Sequence, residues 1–124
     1  MAYDESNVFA RILRGDLPCK RVYEDEWALA FHDINPVAPV HVLVIPKGPY
    51  VSFADFSAQA PAEAVAGFFK AVGRTAESLG IVERGYRILA NHGIDAHQEV
   101  PHFHIHIFAG GPLGPMLRRI DRAG

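Results

Sequence analysis

Residues 101–108 read Pro101-His102-Phe103-His104-Ile105-His106-Ile107-Phe108, and this stretch constrains the fold more than any other. Three of the chain's seven histidines alternate there with large apolar side chains. A period of two is the mark of a half-buried strand, with alternate residues on opposite faces. Phe103, Ile105 and Ile107 then supply the buried face. His102, His104 and His106 are left on the other, which is expected to be exposed on a rigid support. Strand propensity gives no reason to choose histidine three times over Thr, Lys or Glu. The imidazoles therefore call for a chemical explanation.

The rest of the chain must fold around that strand, and its patterning points to an α+β protein. Ser6 is placed to cap a short helix carrying Val8, Phe9, Ile12 and Leu13, with Gly15 as its stop. Lys20-Arg21-Val22-Tyr23 and Trp27-Ala28-Leu29-Ala30-Phe31 read as strands joined by a turn at Glu24-Asp25-Glu26. Val40-His41-Val42-Leu43-Val44-Ile45, stopped by Pro46, has the composition of a central strand. Pro61 to Leu79 reads as the one long helix, with Val65, Phe69, Val72, Ala76 and Leu79 as its apolar stripe. Phe68, Ala64 and Ala71 widen that stripe enough to point to a second covering surface, such as another subunit. Tyr86-Arg87-Ile88-Leu89-Ala90 is a further strand, followed by the loop from Asn91 to Gln98. Five mostly antiparallel strands, one long helix and one short N-terminal helix are expected in a single domain over residues 1–124.

Bulk composition narrows the function classes. At 124 residues, 49% hydrophobic and 21% charged, the chain has an ordinary globular make-up and a formal net charge of -2. No basic run marks a nucleic-acid or anionic-membrane partner. The lone Cys19 excludes an internal disulfide and a CxxC zinc site. An acidic start without an apolar signal core leads us to expect a cytoplasmic protein.

The clustered imidazoles admit three readings. The first is a metal site, but residues i and i+4 of a strand lie roughly 13 Å apart at about 3.3 Å per residue. All three could meet one ion only on a sharply bent strand. The second is a solvated polar face without function. The third is nucleophilic catalysis: a neutral imidazole attacks through one ring nitrogen when the other donates its proton to a fixed acceptor. Phosphorus suits such a nucleophile, because a phosphohistidine bond is labile to water. Imidazoles and backbone N–H groups can meet the phosphoryl charge without a metal.

His102-Phe103-His104-Ile105-His106-Ile107-Phe108 resembles the pattern of the histidine triad (HIT) family. The resemblance runs over almost the whole chain, through residues 8–15, Ala30-Phe31-His32-Asp33-Ile34-Asn35-Pro36, Val44-Ile45-Pro46-Lys47, Asn91, Gln98-Glu99-Val100 and the tail from Gly111 to Leu117. These stretches look like the Hint-type, purine nucleoside phosphoramidase branch. The resemblance implies the HIT fold, a homodimer, and hydrolysis of AMP or GMP conjugates without cofactor or metal. It makes His104 the nucleophile, His102 and His106 its orienting and phosphate-binding partners, and His41 a buttress. It makes Asp33 the ribose ligand and places Val8, Phe9, Ile12, Phe31, His32 and Ile34 around the base. Asn91, Gln98 and Glu99 are implied near the phosphate or the catalytic strand. For Val8 and Ile12 plain core packing is the competing reading, for Asp33 a turn role, and for Asn91 an ordinary loop role.

The chain also departs from its relatives. Glu99 stands where some of them carry Ser or Thr, near the leaving group. His97 replaces a small residue, usually Gly. The histidine and paired cysteines of zinc-binding relatives are absent around Lys47-Gly48-Pro49-Tyr50 and at the N-terminus. The competing functions are a dinucleoside polyphosphate hydrolase on the same fold and a nucleotide-binding scaffold whose hydrolysis is incidental.

Overall fold

The structure is a computed structural model describing residues 2–120. The outer residues of the expected 1–124 domain lie outside it. Five strands form one sheet: β1 (Arg21–Glu24), β2 (Ala28–His32), β3 (Val40–Pro46), β4 (Arg87–Leu89) and β5 (Ile105–Ala109). Their order is β1-β2-β3-β5-β4, and every neighbouring pair is antiparallel. The expected α+β architecture is therefore present, with β3 and β5 paired at its centre.

The turn before β2 is built by Asp25. Its Oδ1 accepts from the amides of Trp27 and Ala28 at 2.8 and 3.0 Å, the side-chain-to-backbone bond that makes Asp a turn residue.

Three helices accompany the sheet: α1 (Val8–Leu13), α2 (Phe53–Gln59) and α3 (Ala62–Ser78). One helix start differs from expectation. Asn7, not Ser6, caps α1, its side chain accepting from the Ala10 amide at 2.9 Å. The Ser6 hydroxyl instead binds Asp4 at 2.6 Å. Gly15 does follow the helix with φ +83, a conformation that costs glycine little.

The short helix α2 is an addition to the expected two. Ser52 sits at its N-cap, and the Asp55 carboxylate accepts from the Val51 and Ser52 amides at 2.8 and 2.7 Å. A Ser-x-x-Asp pattern before apolar residues was thus the available signal.

Both faces of the sheet are covered. On one, Val42, Val44, Phe103, Ile105 and Ile107 pack with Phe56 of α2 and Phe68, Ala71, Val72 and Ala76 of α3. The buried stripe of α3 is rotated from the expected one, since Phe68 and Thr75 lie inside while Phe69 is exposed. On the other face Leu29, Phe31, Leu43 and Ile45 pack under Phe9 of α1.

This second cover overturns the expectation of an exposed histidine face. His102 and His104 are buried, and His106 is half-buried. The ladder itself begins only at Ile105. Before it, the Phe103 amide donates to the Tyr50 carbonyl at 2.7 Å, so the backbone between His102 and His104 pairs with the loop after β3 and not with β3 itself. The alternation of faces nevertheless holds throughout the stretch.

Candidate active site

The hydrogen-bond partners assign a proton position to each of four neutral histidines. On β3, the Val37 amide donates to His41 Nδ1 at 3.2 Å, so the proton of a neutral His41 lies on Nε2. That Nε2–H faces His106 Nδ1 at 3.0 Å, which must accept. His106 then carries its own proton on Nε2. Two residues earlier, His104 Nδ1–H donates to the His102 carbonyl at 2.7 Å, leaving His104 Nε2 as a bare lone pair. His102 Nε2–H donates to the Pro46 carbonyl at 2.9 Å, and its Nδ1 accepts from the Tyr3 hydroxyl at 2.5 Å.

Burial keeps these rings neutral. It lowers the pKa of His104 and His41 and takes His102 and His106 down to about 4. The cause is loss of water around an imidazolium; for His106, the neighbouring His104 and His41 add to it. A neutral His104 with its Nδ1–H tied down is a competent nucleophile at neutral pH. The rings are also packed in place. Phe9 meets His104 edge-on at 5.0 Å between centroids, and His106 lies parallel to Phe108 at 5.6 Å.

A cavity of about 530 Å³ opens over this assembly, lined among others by His104, His106, His41, Asp33, Asn91 and Glu99. Phe9 also borders it. A second cavity of about 790 Å³ shares Asp33 and His41 and is bordered by His32, Ile34 and Pro18. Asp33 therefore stands at the junction. Its Oδ1 accepts from the Asn35 amide at 2.7 Å, and its Oδ2 lies 3.4 Å from His41 Nε2. An ionised carboxylate has lone pairs to spare beyond these.

Not every sequence-predicted residue reaches the cavities. His102 is fully buried and acts through its backbone carbonyl and packed ring. Phe31 is core, Ile12 packs against that core, and Val8 is largely exposed. Gln98 is spent as a clamp: its Nε2 donates to the Val51 and Val100 carbonyls at 2.7 and 3.0 Å, and its Oε1 accepts from the Gly93 amide at 3.2 Å.

Nothing in the sequence marks Tyr3 or the Val37 amide as part of the site. Tyr3 lies 99 residues from His102, and a backbone amide leaves no mark in side-chain identity.

Asp33, His41 and His106 could each offer one metal-ligand atom within 4.8 Å of the others. The donor set does not fit an ion as it stands. His41 Nε2 carries a proton because Val37 occupies Nδ1, and coordination would require that bond to be given up.

Among the described residues, no helix is long and apolar enough to cross a membrane. The five-stranded antiparallel sheet with its helices is the fold of HIT proteins of solved structure. Residues 14–113 match the HIT domain model, and the chain belongs to that family. It is 64% identical over 117 residues to an uncharacterized HIT-like protein of Azospirillum brasilense, covering 94% of this chain and 96% of that one. It is 40% identical over 113 residues to the purine nucleoside phosphoramidase of Escherichia coli strain K12, covering 91% and 94%. The solved structure of a HIT family hydrolase from Clostridium thermocellum superposes with a TM-score of 0.84 at 41% identity, covering 93% of this chain and 99% of that one.

Proposed function

We propose that this protein hydrolyses purine nucleoside phosphoramidates and related nucleotide conjugates, releasing the nucleoside monophosphate through a nucleotidyl intermediate on His104. The observation that carries this reading is the proton arrangement around His104, with Nδ1–H held by a carbonyl and Nε2 free at the cavity. The name of the Escherichia coli relative supports the same class of substrate.

In this reading His104 Nε2 attacks phosphorus and the P–N bond to the amine breaks. His106 Nε2–H, aligned by His41, donates to a phosphoryl oxygen. Asp33 binds the ribose hydroxyls at the junction of the two cavities, with the base in the larger one beside His32 and Ile34. Water then cleaves the P–N bond to His104. No metal is assigned a role.

A homodimer is part of the proposal. Its support is the edge strand β4, where Ile88 and Leu89 are exposed apolar residues on a strand with only one hydrogen-bonded neighbour, and Tyr86 just before it is exposed too.

The test is turnover of an adenosine phosphoramidate with intact-mass analysis of the protein. Wild type should turn the substrate over, and a trapped sample should gain the mass of one nucleotidyl group. His104→Ala should lose the adduct and at least about a thousandfold in kcat, as expected when a nucleophile is removed. Turnover unchanged in His104→Ala would overturn the assignment, and AMP binding without turnover would leave a nucleotide-binding scaffold.

A further inference from the structure

The relay just described contains no cation at neutral pH, yet an amine cannot leave phosphorus as an amide anion. A proton must reach the departing nitrogen from elsewhere. His104 Nδ1–H is held by a carbonyl, His102 is buried, and His106 is neutral with its one free proton directed to the phosphoryl group in the mechanism above. The other titratable side chains bordering the cavity are Asp33, His41, His97 and Glu99. His41 gives its Nε2–H to His106 and accepts at Nδ1 from the Val37 amide, and Asp33 accepts from the Asn35 amide.

His97 and Glu99 sit at the cavity in an arrangement the backbone does not favour. His97 has φ 59, the only positive φ outside glycine among the described residues. The loop closes around it with two bonds, Gln98 N–H to the Gly93 carbonyl and His97 N–H to the Ile94 carbonyl, both 3.1 Å. That pairing puts His97 at the left-handed position of a Schellman-type closure, where glycine is the usual occupant. A side chain there costs on the order of 1 kcal/mol. The Gln98 clamp holds the loop from behind, and the residues on either side of it both border the cavity. There His97 Nε2 and Glu99 Oε1 lie 3.0 Å apart. As a surface ion pair 86% and 75% exposed, they would add almost nothing to stability. The strain thus has no structural return. Glu99 is also close enough for its charge to act on His104, favouring the protonated form.

We propose that His97 is the general acid for the departing amine and that Glu99 orients it, an inference that rests on the phosphoramidase reading. In protonated His97, Nε2–H is held by Glu99 and Nδ1–H is free. As His104 Nε2 bonds to phosphorus, the pair of the breaking P–N bond takes the Nδ1 proton and the neutral amine leaves. His97 is then neutral with a bare Nδ1. In the second step water attacks phosphorus and gives its proton to solvent, the P–N pair returns to His104 Nε2, and His97 regains its proton from solvent. Both imidazoles end as they began. Glu99 has the positioning role here, because it acts through His97.

Two substrates with one nucleoside separate this role from a structural one. The first is an adenosine phosphoramidate of a simple alkylamine, whose leaving group needs a proton. The second is the 4-nitrophenyl ester of AMP, whose phenolate needs none. The variants are His97→Gly, which relieves the backbone at φ 59 and is not expected to unfold the loop, and Glu99→Gln. His97→Gly should lower kcat about a hundredfold on the phosphoramidate and leave the ester within about threefold, with Glu99→Gln showing a smaller loss of the same selectivity. Equal losses on both substrates, or none on the phosphoramidate, would overturn the proposal. If wild type turns over neither substrate, the phosphoramidase reading itself falls and takes this inference with it. Wild-type turnover without the selective loss removes only the role of His97.

Discussion

Tyr3 shows how a single hydroxyl can govern a relay it never joins. Burial pushes its pKa up, so the phenol stays protonated and donates to His102 Nδ1. That bond fixes the His102 tautomer, whose Nε2–H reaches the Pro46 carbonyl, and through the His102 backbone it steadies the acceptor of His104 Nδ1–H. Tyr3→Phe should leave a buried imidazole nitrogen unpaired at a cost of about 1–3 kcal/mol. In the proposed reaction it should lower kcat more than it changes KM, because His104 would lose alignment while the contacts proposed for the nucleoside are untouched. Thermal unfolding together with the nitrogen chemical shifts of His102 would check this. An unchanged melting temperature and an unchanged tautomer would remove the role. His102, His104 and His106 were legible in the sequence as chemistry because three imidazoles on alternate positions have no structural excuse. Tyr3 was not, because its partner lies far along the chain and one tyrosine near a terminus carries no pattern.

Elements were read well where periodicity is long and poorly where a few residues decide. β3 and α3 appeared within about a residue of their expected ends, since each has a long apolar pattern closed by a stop residue. The short α2 is nearly silent in the sequence because its one signal is the Ser52–Asp55 cap. The burial of the histidine face is absent from the pattern for a related reason: periodicity gives the two faces of a strand, and only tertiary packing decides which of them is covered. The glycines of α3 make a test at this scale. Gly73 has no atom within 4 Å of where a Cβ would sit, whereas at Gly67 a Cβ would lie 2.4 Å from the Trp27 ring. Alanine is favoured over glycine in a helix by about 1 kcal/mol. Gly73→Ala should therefore stabilise the protein by up to that amount. Gly67→Ala should destabilise it by about 1–3 kcal/mol through the indole clash. Denaturant unfolding of the two variants should give opposite signs. A loss at Gly73 would count against the open space found there and report a second chain packed against that side of α3.

Across the whole molecule the buried histidines tie stability to pH. His102 and His106 titrate at about 4 in the fold because they are buried, whereas an unfolded histidine titrates near 6.5. Between those values the unfolded chain binds protons that the folded chain refuses, so stability rises with pH across this window and levels off above it. As pH falls from 7 to 4.5, His102 alone should withdraw about 2–3 kcal/mol. The half-buried His106 should withdraw less, because solvent screens it. Carboxylates lose stabilising interactions in the same direction, so the diagnostic quantity is the difference between wild type and His102→Gln. Glutamine can still donate to the Pro46 carbonyl and accept from Tyr3, but it takes up no proton. Urea unfolding at several pH values should show wild type losing about 2–3 kcal/mol more than the variant over that interval. Parallel profiles would mean that His102 takes up a proton within the fold. The neutral relay that the proposed attack by His104 requires would then fail with it, because a cationic ring two residues away would disfavour the transfer of positive charge to His104.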